Sequence, residues 1–306
     1  MKSFAMIGAG AVGSYYGARL AEAGNDVRFL LRADYEEVQK NGLVIESIHD
    51  DFSLSKVSCA ESPEALGKVD VVIVAWKTTA NAHLKEIITP LLHDNSVILT
   101  LQNGLGNVEA LSEIFGSSRV LGALCFVCIN RLKPGLIAHT GGGKVAMGEL
   151  TPGITPRLEE LVTIFQNSKI ECVAAHDLGE AQWRKLVWNI PFNGLCITEG
   201  GLDTQELLSR KGGEKKVRSL MAEVLLAATA LGYEIEESFI EYQLKITRPM
   251  GAYRPSSMID YLEDREVEID SIWGEPLRRA MAAGAKVPLI EALCESLKSK
   301  IEARPR

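Results

Sequence analysis

The 306-residue chain has no apolar run approaching the roughly 18 to 20 residues that a bilayer-spanning helix needs, so no transmembrane segment is expected. It also lacks a cationic excess: 33 Lys and Arg against 40 Asp and Glu leave a formal charge of −7. Nucleic acid binding needs clustered positive charge, so that class of partner is set aside. A small anionic ligand is not, because one local basic pocket suffices for it. Cysteine is sparse, with Cys59, Cys125, Cys128, Cys172, Cys196 and Cys294 spread over the whole length. That pattern excludes a disulfide framework and points to reduced thiols in the cytoplasm. The apolar N-terminal segment carries Arg19 and Glu22 and lacks a clear cleavage site, so a secretory signal is not expected either. There is no internal repeat and no low-complexity stretch.

Cys125 and Cys128 have the spacing of redox centres and metal knuckles. They lie, however, in an apolar run, residues 120–129, that reads as a buried strand. Residues three apart on a strand point to opposite faces, so packing is the expected role and no metal site is anticipated.

What is present is enough apolar sequence for two cores, and a texture that changes midway. The first half alternates short apolar runs with helical patterns: strands over 3–8, 26–32, 69–76 and 96–101, helices over 11–23 and 107–115. Such alternation marks a parallel sheet covered by helices. Residues 43–57 read as a hairpin inserted into it. From about Ala175 onward only helical patterns remain, at 179–197, 215–231, 236–247, 258–265, 267–283 and 289–303, with Asp177 placed to cap the first. The expected architecture is α/β: an N-terminal Rossmann-type parallel-sheet domain, residues 1–175, and a C-terminal all-helical domain, residues 176–306, with the active site expected in a cleft between them.

Gly8-Ala9-Gly10-Ala11-Val12-Gly13 matches G-x-G-x-x-G at the junction of a strand and a helix. In that context the first glycine permits the tight turn and the second lets a pyrophosphate approach the backbone. The third lets helix and strand pack closely, and the helix N-terminus attracts the anion. The end of the second strand bears on which nucleotide. Where an NAD enzyme places a carboxylate for the ribose hydroxyls, this chain has Phe29-Leu30-Leu31-Arg32. Arg32 offers a planar fork for the 2′-phosphate of NADP, so NADP(H) is expected, although Asp34 nearby could serve NAD. Lys77 follows the third strand at the edge where open α/β sheets bind ligands, and is otherwise a solvated lysine. Asn103, in Gln102-Asn103-Gly104 one strand on, is either part of a simple turn or within reach of the nicotinamide ribose.

In the second half, Lys185, Asn189 and Asn193 are spaced by four and stack along one face of a helix whose other residues are largely apolar. Polar groups on a buried helix must be satisfied, either by a core hydrogen-bond network or by a ligand. Pro191 within that helix removes one backbone hydrogen bond and predicts a kink between Lys185 and Asn193. Ser257-Met258-Ile259-Asp260 fits a helix-capping box, and Glu268 fits the outer face of an amphipathic helix.

Taken in order, these elements resemble the ketopantoate reductase (2-dehydropantoate 2-reductase) family. The resemblance runs through the glycine loop, Arg32, Lys77, Asn103-Gly104, Trp183-Arg184-Lys185-Leu186 with Asn189 and Asn193, Ser256-Ser257-Met258, and Glu268-Ile269-Asp270. It implies NADPH-dependent reduction of 2-dehydropantoate to pantoate on the path to coenzyme A. Lys185 would be the catalytic acid, Asn189, Asn193 and Ser257 would contact substrate, and Glu268 would support the site. The roles are chemically coherent: an ammonium aimed at a ketone oxygen stabilises the charge that hydride arrival creates, then supplies the proton. Another small 2-oxo acid as substrate, or a non-catalytic NADP sensor on the same scaffold, are the competing expectations. By analogy with other dehydrogenases, the helical domain would carry the contacts of a homodimer.

Overall fold

The structure is a computed structural model that describes residues 2–304; Met1, Pro305 and Arg306, at the outer ends of the two expected domains, lie outside the described residues. Among the described residues ten strands occur in chain order: β1 (Ser3–Ile7), β2 (Asp26–Leu30), β3 (Leu43–Ser47), β4 (Phe52–Leu54), β5 (Ser58–Ala60), β6 (Val69–Val74), β7 (Leu92–Thr100), β8 (Val120–Lys133), β9 (Leu136–Glu149) and β10 (Cys172–Ala174). Between them run α1 (Ala11–Glu22), α2 (Tyr35–Asn41), α3 (Pro63–Leu66), α4 (Leu84–Ile88), α5 (Asn107–Phe115) and α6 (Pro156–Asn167). All the strands join one sheet in the order β4-β3-β9-β8-β7-β6-β1-β2-β5, with β10 paired to β9.

From β5 across to β8 every pairing is parallel, which is the Rossmann part of the sheet. Its strands are apolar on both faces, as a sheet covered on both sides requires. Phe4, Met6, Phe29, Val71, Ile73, Leu99 and Leu121 are fully buried in one cluster. Beyond β8 the expectation of a parallel sheet needs correcting. A long antiparallel β8–β9 hairpin follows, then β3 parallel to β9, with β4 antiparallel on the outer edge. The anticipated hairpin over 43–57 is real as far as Leu54, with Leu43 opposite Leu54 and Ile45 opposite Phe52. Ser58–Ala60 instead joins β2 on the far side.

By packing, the chain divides into two compact units: residues up to Asn103 with Asn107–Leu178, and Gly104–Gly106 with everything from Gly179 on. The second is built from α7 (Leu178–Thr198), α8 (Thr204–Ser209), α9 (Gly213–Ala230), α10 (Ser238–Thr247), α11 (Ser256–Leu262), α12 (Glu275–Ala282) and α13 (Pro288–Glu302), and has no strand among the described residues. Its core gathers Val187, Ile190, Phe192, Cys196, Met221, Val224, Trp273 and Leu297. The side chain of Glu223, on α9, accepts hydrogen bonds from the N–H groups of Leu289 and Ile290, closing the open N-terminus of α13 behind Pro288. No disulfide joins the six cysteines, and burial pushes the Cys172 and Cys196 thiols up to about 12, which keeps them unreactive.

Helix α7 continues for 21 residues, with Pro191 inside it. The proline has no N–H for the carbonyl of Val187. The neighbouring carbonyl, that of Ile190, accepts a hydrogen bond from the indole N–H of buried Trp273 at 3.0 Å. Trp273 lies in a π-helical turn, Asp270–Gly274, so the wide turn of one segment braces the proline-bearing turn of another. A Trp273→Phe substitution removes the donor and leaves a void. It should cost about 2 kcal/mol in urea or thermal unfolding; an unchanged midpoint would show that α7 does not depend on this brace.

Candidate active site

The glycine loop is shaped by what surrounds it. Gly8 has φ +87°, and a Cβ built on it would lie 2.2 Å from the backbone nitrogen of Trp76, so both conformation and space demand glycine. A Cβ at Gly13 would lie 2.5 Å from the Gly8 carbonyl oxygen and 3.2 Å from Ala75. Gly17, one turn further along α1, would meet Phe29 at 2.6 Å and Met6 at 2.8 Å. Helix α1 therefore rests directly on β1, β2 and the end of β6. Gly10 is the exception: nothing lies within 4 Å of its added Cβ. It caps α1 with no side-chain bond, and no acidic residue occupies the first turn. Ala11, Val12 and Gly13 open the helix, so their N–H groups lack carbonyl partners in the turn before and face the open side. The Ser14 hydroxyl donates to the Ala9 carbonyl at 2.9 Å and holds the loop. Open space over uncapped N–H groups with no opposing carboxylate fits a pyrophosphate.

Lys77 and Asn103 emerge from β6 and β7 at this same edge. Between them lies a polar network that no local pattern announces. Gln102 Nε2 donates to Asn81 Oδ1 at 2.7 Å and to the Trp76 carbonyl at 3.2 Å. Trp76 Nε1 donates to Asn81 Oδ1 at 3.2 Å, and Asn81 Nδ2 donates to Asn107 Oδ1 at 3.1 Å. Asn107 Nδ2 in turn donates to the Asn103 carbonyl at 3.0 Å. Thr100 Oγ1 donates to Gln102 Oε1 at 3.0 Å. The residues before Lys77 and the backbone of Asn103 are thus tied into one frame, and Asn81, Thr100 and Asn107 are positioning residues that spacing could not reveal.

At the end of β2, Arg32 is exposed, and among the described residues its guanidinium has no ion-pair partner. Asp34, the other group considered for the ribose, is buried and has both carboxylate oxygens within 2.9 Å of Arg131 Nη1.

In the helical unit, Asn189 is 8% exposed, Asn193 2% and Ser257 2%, whereas Lys185 and Glu268 are half-buried. Successive members of the α7 line are about 6 Å apart along the axis. The capping box proposed for Ser257 does not form. Helix α11 starts at Ser256 behind Pro255, with no side-chain cap of its own. The N–H of Ser257 is bound instead by Asn193 Oδ1 at 3.0 Å, so Asn193 brings α7 and α11 together. Glu268 does not ride on a helix face; it stands ahead of the π-helical turn, and its carbonyl accepts from the Ile272 N–H at 3.3 Å. The side-chain amide of Asn189 and the hydroxyl of Ser257 have no hydrogen-bond partner among the described residues, and although both residues are largely buried, their polar atoms are not sealed from solvent. Polar groups left so are groups that a ligand can satisfy.

Fold and loop define an oxidoreductase built to take a nicotinamide dinucleotide, followed by a helical unit with a short line of buried polar groups. Residues 4–152 match the family profile described as Ketopantoate reductase PanE/ApbA, and residues 177–301 match its C-terminal counterpart. The chain belongs to the ketopantoate reductase family. It is 40% identical over 302 residues to a 2-dehydropantoate 2-reductase of Nostoc sp., covering 97% of this chain and 94% of that one. A crystal structure of a 2-dehydropantoate 2-reductase from Geobacter metallireducens superimposes with a TM-score of 0.95 at 43% identity, covering 97% of this chain and 99% of the other. The ternary structure of D-mandelate dehydrogenase with NADH and anilino(oxo)acetate shares the fold, with a TM-score of 0.90 at 22% identity over 98% of this chain and 99% of that one.

The differing surroundings of the glycines give a paired test. Gly10→Val should fold with a thermal midpoint near wild type and weaken binding of NADPH and NADH alike by more than about tenfold. Gly13→Val should lose roughly 1–3 kcal/mol of stability through overpacking. Normal dinucleotide affinity in Gly10→Val would place the cofactor elsewhere.

Proposed function

We propose that this chain reduces 2-dehydropantoate (ketopantoate) to pantoate with NADPH, the unit carrying Gly8–Gly13 holding the dinucleotide and the polar face of α7 holding the substrate. The observation that carries this reading is the pair of buried side chains, the Asn189 amide and Ser257 hydroxyl, that lack protein partners beside the Asn193 brace. A small 2-oxo acid offers carboxylate, carbonyl and hydroxyl oxygens, and these donors complement them. Family membership along both parts of the chain supports the named substrate.

When bound, the dinucleotide supplies a hydride to the ketone carbon. Lys185 orients the carbonyl oxygen, stabilises the charge that develops on it and delivers the proton. Glu268 orients the Lys185 ammonium. Asn189, Asn193 and Ser257 hold the substrate, with Asn193 also fixing the start of α11. Lys77 and Asn103 serve the cofactor from the ends of β6 and β7. The choice of NADP over NAD rests on Arg32, exposed and without an ion-pair partner, against Asp34, whose oxygens are already engaged.

The test is NADPH oxidation with ketopantoate beside 2-oxoisovalerate, pyruvate and oxaloacetate, for wild type and Lys185→Ala. Ketopantoate should be turned over best, and Lys185→Ala should lower kcat by roughly 10²–10⁴-fold while NADPH still binds. NADPH binding with no turnover of ketopantoate would remove the named reaction and leave the family and fold in place. Turnover of another acid in the panel would make that acid the substrate.

A further inference from the structure

The N–H of Tyr35 donates to the Arg32 carbonyl at 3.0 Å, closing a four-residue turn in which Asp34 takes the third position. The ends of such a turn lie within about 7 Å, so the charges of Arg32 and Asp34 start from neighbouring points, within a screening length of about 8 Å. An ionised, unopposed Asp34 would repel a 2′-phosphate held by Arg32 and would accept from a ribose hydroxyl, as the strand-end carboxylate of NAD enzymes does. Neither is open to it here. Arg131, 97 residues away on β8, places Nη1 at 2.8 and 2.9 Å from the two Asp34 oxygens. The Asp34 side chain is 8% exposed and the Arg131 side chain 47%. Asp34 precedes α2 yet makes no capping bond to it, so Arg131 is the partner its carboxylate is turned toward. Glu36 and Glu37 follow in the first turn of α2 and add negative charge nearby, which makes neutralising Asp34 matter more. Paired with Arg131, Asp34 no longer offsets the charge of Arg32; without Arg131 it does.

We propose that Arg131 is a specificity-determining residue: by neutralising Asp34 it keeps the turn after β2 cationic, and so selects a dinucleotide bearing a 2′-phosphate over one bearing a 2′-hydroxyl. It acts through Asp34 and is a positioning residue for charge, not a direct phosphate ligand. The inference rests on the NADP reading given above. Its test is calorimetric binding of NADP⁺ and NAD⁺, which needs no turnover, to wild type, Arg131→Met, Arg131→Lys, Asp34→Asn and the Arg131→Met/Asp34→Asn double variant. Arg131→Met should reduce the NADP⁺-over-NAD⁺ affinity ratio by about tenfold or more, while Arg131→Lys, which keeps the charge, should hold it near wild type. Removing Asp34 as well should restore the ratio to that of Asp34→Asn. The double variant buries no lone carboxylate, so its comparison with Asp34→Asn decides the matter if Arg131→Met alone does not fold. A ratio unmoved by Arg131→Met, one lost equally in Arg131→Lys, or a double variant well below Asp34→Asn would each overturn the proposal. A wild type without preference for NADP⁺ would instead remove the NADP reading itself.

Discussion

The close approach of α1 to the sheet is the constraint on which the rest of the nucleotide-binding unit depends. Three glycines, Gly8, Gly13 and Gly17, stand where any side chain would strike backbone, a neighbouring carbonyl or an aromatic ring. Packing at that distance brings the start of the helix down to the strand ends, while the space over Gly10 stays open. The same contact fixes Trp76 against the turn. Through Trp76 and Gln102 it also fixes the backbone that carries Lys77 and Asn103. Dispersion and steric exclusion, acting through missing side chains, thus set where an anion and its ribose can lie.

The helical unit works by the opposite device. There a run of bulky apolar side chains seals α7, and a few polar groups are admitted at four-residue spacing. One of them, Asn193, is spent on structure, since it closes the N-terminus of α11. The side chain of Asn189, by contrast, makes no hydrogen bond among the described residues. An amide and a hydroxyl that make no protein hydrogen bond and still reach solvent can exchange water for a ligand's oxygens on binding. The chemistry assigned to Lys185 gains from such surroundings, because charge developing in a poorly hydrated place interacts strongly with a fixed ammonium.

Much of this was legible in the linear sequence wherever the governing physics is local. The glycine loop, the parallel strands β1, β2, β6 and β7, the helical second half and the polar line on α7 all follow from periodicity and turn chemistry. Strand β9 was not legible. Its His139-Thr140-Gly141-Gly142-Gly143 stretch has the composition of a loop; it pairs with β8 through a bulged register that skips Thr140 and Gly143, while on the other edge β3 pairs up to His139 and β10 from Val145 on. Helix α6 carried an overlooked local signal: Thr155 caps it, Pro156 opens it, and Leu158, Leu161, Val162 and Phe165 form its buried stripe. The Ser257 motif failed for a nonlocal reason, because a side chain 64 residues away took over the capping bond. The Asp34–Arg131 pair and the Asn81–Gln102 frame belong to the same class, joining residues that only the sheet brings together.

The most direct measurement of the central claim is the fate of a labelled hydride. The enzyme is incubated with ketopantoate and NADPH deuterated stereospecifically at C4 of the nicotinamide, once for each face, and the product is examined by mass spectrometry and NMR. The account predicts pantoate carrying one deuterium on C2 from one of the two labelled cofactors and none from the other. Pantoate formed without deuterium from either, or no pantoate at all while the dinucleotide binds, would contradict it.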